Sequence, residues 1–311
     1  MRIDDPDIFR CIAENLQLGL YLTDRDRRIV FWNREAVRIS GYLSHEVVGR
    51  CCHEGLLTHC DVTGKILCIS DCPMSKAMQE GTPHEARVYL HHKGGHRVPV
   101  YVRAFPVRGL DGVVIGAVEM FEEQPTALIS ERHEGILAAH GLLEPVTRLP
   151  NHAIMQSQVR SSLNLYREHG LPFGVLLIEI EQARQFEEAH SPEALRAILQ
   201  VVARSISHVL ESECLLGHWA ENQFIALVQG GSLVELERLR KQVRELVSCS
   251  GIQWWGEQLS VKVEAGYAVA EPGDELDSIL ERAQQSLQSH KARDVAVAAS
   301  IEQQSGPASE S

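Results

Sequence analysis

The sequence has no apolar run approaching the roughly 20 residues that cross a bilayer, which excludes a transmembrane helix. It opens Met-Arg-Ile-Asp-Asp-Pro-Asp and so lacks the basic-then-apolar order of a secretory signal. Positive charge is scarce: 30 Lys and Arg against 42 Asp and Glu leave a formal net charge of -12. With a pI near 5.7, that balance argues against general nucleic-acid binding through phosphates. What is present is ordinary for a globular chain. Hydrophobic residues make up 44% and charged residues 23%, which excludes wholesale disorder. At about 150 residues per domain, 311 residues suggest two domains.

Five of the eight cysteines, Cys51, Cys52, Cys60, Cys68 and Cys72, fall in one short stretch. With no export signal the expected compartment is the reducing cytoplasm. There a cysteine cluster more often means metal or redox chemistry than a disulfide framework.

The pattern predicts an α+β protein in two parts: a sensor-like domain at 1–122 and a second domain at 144–300. A helical linker at 123–143 joins them, and a disordered tail follows at 301–311. In the first domain Asp24-Arg25-Asp26-Arg27 reads as a turn before the strand Ile29–Trp32, with a helix over 33–39. Ala86, Val88 and Leu90 alternate, as do Val98, Val100 and Val102, around a Lys93-Gly94-Gly95-His96 hairpin. A last strand covers 114–121. In the linker Leu128, Ile129, Ile136, Leu137, Leu142 and Leu143 recur at roughly helical spacing, fitting either a paired or an ordinarily packed helix. The second domain alternates its elements. A helix is expected over 153–169, an almost wholly apolar strand over 174–180, and a helix from Ser191-Pro192 to about Leu210. Strands over 215–219 and 224–228 flank a four-residue turn. A helix over 233–247, a strand over 259–269 and a helix over 276–290 follow.

The phrases Gly19-Leu20-Tyr21-Leu22-Thr23-Asp24, Ile29-Val30-Phe31-Trp32-Asn33, Gly41-Tyr42 and Glu46-Val47-Val48-Gly49-Arg50 resemble a PAS domain in their order. The resemblance implies an antiparallel-sheet sensory module that binds a small ligand or cofactor, or dimerises. The later element order, entered through Val146-Thr147-Arg148-Leu149-Pro150-Asn151-His152, resembles the GGDEF domain of diguanylate cyclases. It implies a mixed sheet flanked by helices. Active members condense two GTP molecules into cyclic di-GMP across a dimer.

Laid on that family, the chemistry is missing. The family's hairpin of two glycines, two acids and a phenylalanine falls on Ala220-Glu221-Asn222-Gln223-Phe224. Asn222 stands at a metal-binding carboxylate position, Gln223 at the next acid and Glu221 at a glycine that approaches the nucleotide. Glu179 takes the place of the other metal-ligand aspartate. Hard cations want anionic oxygens, so this set is poor for Mg²⁺ and a triphosphate, and no Mg-GTP is expected. The guanine-reading positions become Glu187 and Arg196, and the inhibitory product site becomes Glu211-Ser212-Glu213-Cys214. Lys291 and Arg293 lie near the family's phosphate-contacting cations. They read as a weak anion site or as favourable charge at a solvated helix end.

Cys52, His59, Cys68 and Cys72 offer three thiols and an imidazole, with Cys51 and Cys60 as substitutes. Zinc or an iron–sulfur cluster, redox-active thiols without metal, and inert packing cysteines all remain open. Gly49-Arg50-Cys51-Cys52 faintly resembles the cysteine phrase of flavin-binding light sensors, but Tyr89-Leu90-His91-His92-Lys93 lacks the asparagines that hold a flavin ring. His91, His92 and His96 read as an exposed hairpin, with haem ligation as the alternative. Of Trp254 and Trp255, one is expected in the core.

The expectation is a cytoplasmic signalling protein, homodimeric or paired with an active cyclase or another signalling protein, with no nucleic-acid or membrane partner. Its PAS sensor would control a catalytically inactive GGDEF-like output. The alternatives are a weak cyclase and a non-catalytic GTP-binding switch.

Overall fold

Alternating apolar and polar side chains, which give a strand one dry and one wet face, set up the first sheet. The structure is a computed structural model describing residues 6–124, 131–181, 183–210 and 214–304. The chain forms two units. One takes Met1–Thr126 with Arg204–Val209 and Glu245–Ser260; the other takes Ala127–Ala203, Leu210–Arg244 and Val261–Ser311.

The first unit starts with α1 (Pro6–Asn15), β1 (Gly19–Asp24), β2 (Ile29–Trp32), α2 (Arg34–Ser40) and α3 (Ser44–Val47). It continues with α4 (Leu67–Ser70), α5 (Pro73–Glu80), β3 (His84–His91), β4 (Arg97–Arg108) and β5 (Val114–Glu123). The strands pair antiparallel in the order β2-β1-β5-β4-β3. Asn33 fixes the step from strand to helix. Its Oδ1 accepts from Leu20 N at 2.9 Å and from Ala36 N at 2.8 Å, while Nδ2 donates to Ala13 O and Leu18 O. A fully buried amide is tolerable only when satisfied in this way. Tyr21, Trp32 and Phe121 pack together over the sheet with ring centroids 5.3 to 6.2 Å apart, Tyr21 and Phe121 edge to face and the other two pairs tilted.

The chain continues through α6 (Glu131–Ala139), α7 (His152–His169), β6 (Phe173–Ile180), α8 (Ala183–Ala189) and α9 (Pro192–Val209). Then come β7 (Cys214–Ala220), β8 (Gln223–Gln229), α10 (Leu233–Ser248), β9 (Gly251–Trp254), β10 (Glu257–Ser260), β11 (Val263–Val269) and α11 (Leu276–Gln304). The sheet of the second unit has the order β11-β6-β8-β7. Its mixture is one of helix and strand, because its pairings are all antiparallel. Val175, Leu177, Ile225, Leu227 and Ala268 on one face pack under α7 and α11. Gly266 allows the approach of α11: a Cβ there would stand 2.1 Å from Leu287 N. Ser191 Oγ accepts from Ala194 N at 3.2 Å and starts α9.

Several expectations need correction. The strand over 259–269 is two strands, and β9–β10 is a separate hairpin with Trp255 at its turn (φ +48°). Neither tryptophan is core: Trp254 is half-buried and Trp255 exposed. The turn between β7 and β8 has two residues, Glu221 and Asn222, not four. Helix α8 had no counterpart in the sequence reading. Helix α11 runs to Gln304, past the expected start of a tail. Leu128, Ile129, Glu211, Ser212 and Glu213 lie outside the described residues. Among the described residues no helix is long and apolar enough to cross a membrane.

Candidate functional site

Two places gather the chemistry-bearing residues, one in each unit. In the second unit the hairpin β7–β8 brings Asn222 and Gln223 to the end of β6. Gln223 is the cross-strand partner of Glu179. Its Nε2 donates to Glu179 Oε2 at 2.8 Å, and Lys291 Nζ of α11 donates to Glu179 Oε1 at 2.6 Å. Asn222 Nδ2 donates to the carbonyl of the next residue, Ile180, at 3.1 Å, and Asn222 O accepts from Ile180 N at 2.9 Å. So the carboxylate of Glu179 and the carbonyl of Ile180 both receive donors from within the chain. Neither Ala220 nor Glu221 has a positive φ, so this hairpin does not need the freedom of glycine at those positions. Glu221 is exposed at the turn.

A family model described as "Diguanylate cyclase, GGDEF domain" matches residues 142–295, and one described as "PAS fold" matches residues 13–124. The chain joins a PAS-fold domain to a GGDEF domain. Among solved structures, diguanylate cyclase SiaD of Pseudomonas aeruginosa, crystallised with its activator SiaC, is similar at 20% identity and a TM-score of 0.47. That match covers 53% of this chain and 66% of that one. The GGDEF domain of DgcB from Caulobacter crescentus, solved with c-di-GMP, is similar at 18% identity and a TM-score of 0.47, over 49% and 90%. The PAS domain of a protein from Colwellia psychrerythraea is similar at 20% identity and a TM-score of 0.33, over 39% and 98%. No curated protein matches the chain.

A site for magnesium and a triphosphate asks for oxygen ligands free to take a cation. The GGDEF domain here does not fit that demand. The two side chains at the positions read as acidic in the family, Asn222 and Gln223, are amides whose N–H groups donate to the Ile180 carbonyl and to Glu179. Lys291, the expected weak anion contact, is paired with Glu179. Arg293 is exposed on α11. Glu187 lies on α8, and Arg196 on α9 pairs with Glu193 at 2.7 Å.

The second place is the interior of the PAS domain. Cys51, Cys52, Cys60, Cys68 and Cys72 are all buried and unpaired as disulfides. Cys68 Sγ accepts from His59 N at 3.1 Å. Cys51 and Cys60 point their thiols at the carbonyls of Asp26 and Tyr89. Burial, then the Glu119 carboxylate and the Cys72 and Cys68 thiols, push the Cys52 thiol up. Burial and then Cys72 push Cys68 up to about 12. Burial and then Glu119 raise Cys72. Burial therefore favours the thiol form of all three. Cys52, His59, Cys68 and Cys72 share an interior, yet among the described residues no three His, Cys, Asp or Glu side chains are arranged to hold a metal ion.

Sequence reasoning missed Glu119, on β5 between the inward-facing Ala117 and Phe121. It is fully buried; Oε1 accepts from Tyr21 OH at 2.9 Å, His59 Nε2 lies 3.9 Å away, and Oε2 has no hydrogen-bond partner. Burial raises its carboxyl to about 7, against the lowering effect of Tyr21. Burial likewise lowers His59 to about 4, so its ring is neutral. The available signal was period two: Ala117 and Phe121 face the core, so the residue between them does too.

The histidine hairpin also differs from expectation. His96 is buried, its ring stacked on His92 at 4.2 Å, and burial lowers it to about 2. His91 Nδ1 meets Tyr42 OH at 3.2 Å, and His92 Nδ1 accepts from Gly94 N at 2.8 Å. The rings of His91 and His92 are half-buried and hydrogen-bonded and that of His96 is buried with Nδ1 unpartnered, so the histidines pack inward while Lys93 and Gly94 at the turn are exposed.

Proposed function

We propose that this protein is a signal-transduction component of cyclic di-GMP signalling in which the PAS domain is the input. The GGDEF domain is the output, and it acts through protein contacts without making nucleotide. One observation supports the reading above the others: at the end of β6 the acceptors are engaged by Lys291, Gln223 and Asn222. Phosphoryl-type chemistry depends on positioning and charge neutralisation by metal ions. A chain that has replaced acids by amides has little left with which to hold them. Each subunit of an active pair brings one GTP to a shared interface, so pairing this chain with an active cyclase is expected to lower the partner's output.

The test is direct. The purified full chain, given GTP with Mg²⁺ or Mn²⁺, is expected to yield no cyclic di-GMP by chromatography. Product formed at a rate that depends on enzyme concentration would replace this reading with that of an atypical cyclase.

A further inference from the structure

Strand pairing puts three polar side chains in one row. Glu179 of β6 stands opposite Glu264 of β11 on one side and Gln223 of β8 on the other. Directly opposed residues of an antiparallel pair point to the same face. Two carboxylates are therefore neighbours, an arrangement that costs stability unless each has its own countercharge. Glu264, fully buried, has two: Arg240 Nη1 at 2.7 Å and Arg244 Nη1 at 3.1 Å, both from α10. Glu179 has Lys291 Nζ at 2.6 Å, reaching in from α11 across 112 residues of sequence. The Lys291 and Glu179 side chains are only 25% and 19% exposed, so the pair is shielded from much of the screening that weakens surface ion pairs.

We infer that Lys291 is the resident cation of this site: its ammonium holds the place at Glu179 that a divalent metal ion would take, and thereby closes the site to such ions. The inference rests on, and deepens, the reading of the GGDEF domain as one without metal-dependent turnover. A divalent ion arriving at Glu179 must expel the ammonium, and it then finds one carboxylate flanked by amide donors. Magnesium-type ions accept one carboxylate with several waters, so it is the ammonium that decides whether an ion enters. Removing the positive charge while keeping side-chain length should convert the position into a single-cation site. It would remain short of the two metal ions that the family's chemistry uses.

The experiment is a Mn²⁺ titration of the full-length protein, reading free Mn²⁺ by electron paramagnetic resonance, with melting temperature recorded with and without the ion. Wild type is expected to retain no Mn²⁺ at this site at millimolar concentration, and its melting temperature should not respond. Lys291→Met should gain one bound Mn²⁺ at least tenfold tighter than any binding by wild type, with a Mn²⁺-dependent rise in melting temperature. Lys291→Met combined with Glu179→Gln should lose that gain. Lys291→Gln serves as a second neutral variant should the Met chain fold poorly. Wild type binding Mn²⁺ as tightly as the variants, or no gain in either neutral variant, would overturn the inference. Neither result is confused with failure of the functional reading, which only cyclic di-GMP production by wild type can bring about.

Discussion

The phenol of Tyr21 donates a 2.9 Å hydrogen bond to Glu119 Oε1 inside the PAS core, joining β1 to β5 at directly paired positions. Glu119 has its pKa raised from 4.5 to about 7, so folding favours its protonated form. Its stability contribution is intact below about pH 4.5 and is lost as pH rises through about 7. Replacing it by Gln, which does not titrate, should flatten that loss. The difference in unfolding free energy between wild type and Glu119→Gln should change by on the order of 3 kcal/mol between about pH 5 and about pH 8. Wild type should do relatively worse at the higher pH. Urea unfolding of both chains across that range checks it. His91, lowered to about 4, works in the opposite sense in both chains and cancels in the difference. A difference independent of pH would mean that Glu119 is ionised in the folded protein throughout.

Gly266→Ala should destabilise the GGDEF domain by about 1 to 3 kcal/mol, the usual cost of overpacking. The added methyl meets Leu287 N at 2.1 Å and Ala283 O at 2.3 Å, backbone atoms that cannot turn aside. Gly135→Ala is the matched control. Its Cβ meets nothing within 4 Å on exposed α6, so a gain of roughly 0.5 to 1 kcal/mol is expected from helix propensity alone. Equal effects of the two substitutions in chemical denaturation would rule out the close contact.

Alkylation should separate the cysteines by burial. Cys11 is exposed and should react with iodoacetamide within minutes, while Cys52, Cys68 and Cys72 should stay unmodified until the protein unfolds. Burial holds all three as thiols, and the thiolate is the reactive species. Mass spectrometry of peptides sampled over time reads this directly. Modification of Cys68 at the pace of Cys11 in folded protein would favour a redox-active interior.

Much of the architecture was legible because it is local. Alternation gave β3 and β4, and Ser191 announced its helix through its capping oxygen, whereas Asn33, read as the first residue of a helix, is its N-cap. What stayed hidden depends on partners distant in sequence. Helix α8 carries no capping residue before Ala183 and no apolar stripe, so nothing local marks it. The break at Val261-Lys262 interrupts an alternating stretch, 259–269, that reads as one strand. At the site, the loss of acidic groups at Asn222 and Gln223 was visible residue by residue. That their amides turn toward Ile180 O and Glu179 was not. Lys291 was left between an anion contact implied by the resemblance and a solvated helix end, because the sequence shows its charge and hides its carboxylate neighbour. Glu119 was passed over because a carboxyl on a strand is ordinarily taken to face water.

A cation carried on one of the chain's own side chains differs from one borrowed from solution in that it is never dilute. The ammonium of Lys291 is held beside Glu179 at an effective concentration set by the fold of α11. If Lys291 is the resident cation, chelators, falling magnesium or swings in nucleotide supply should leave the end of β6 unaltered. The output half of this molecule should keep one shape through such fluctuations and vary only with what reaches it from its own sensor.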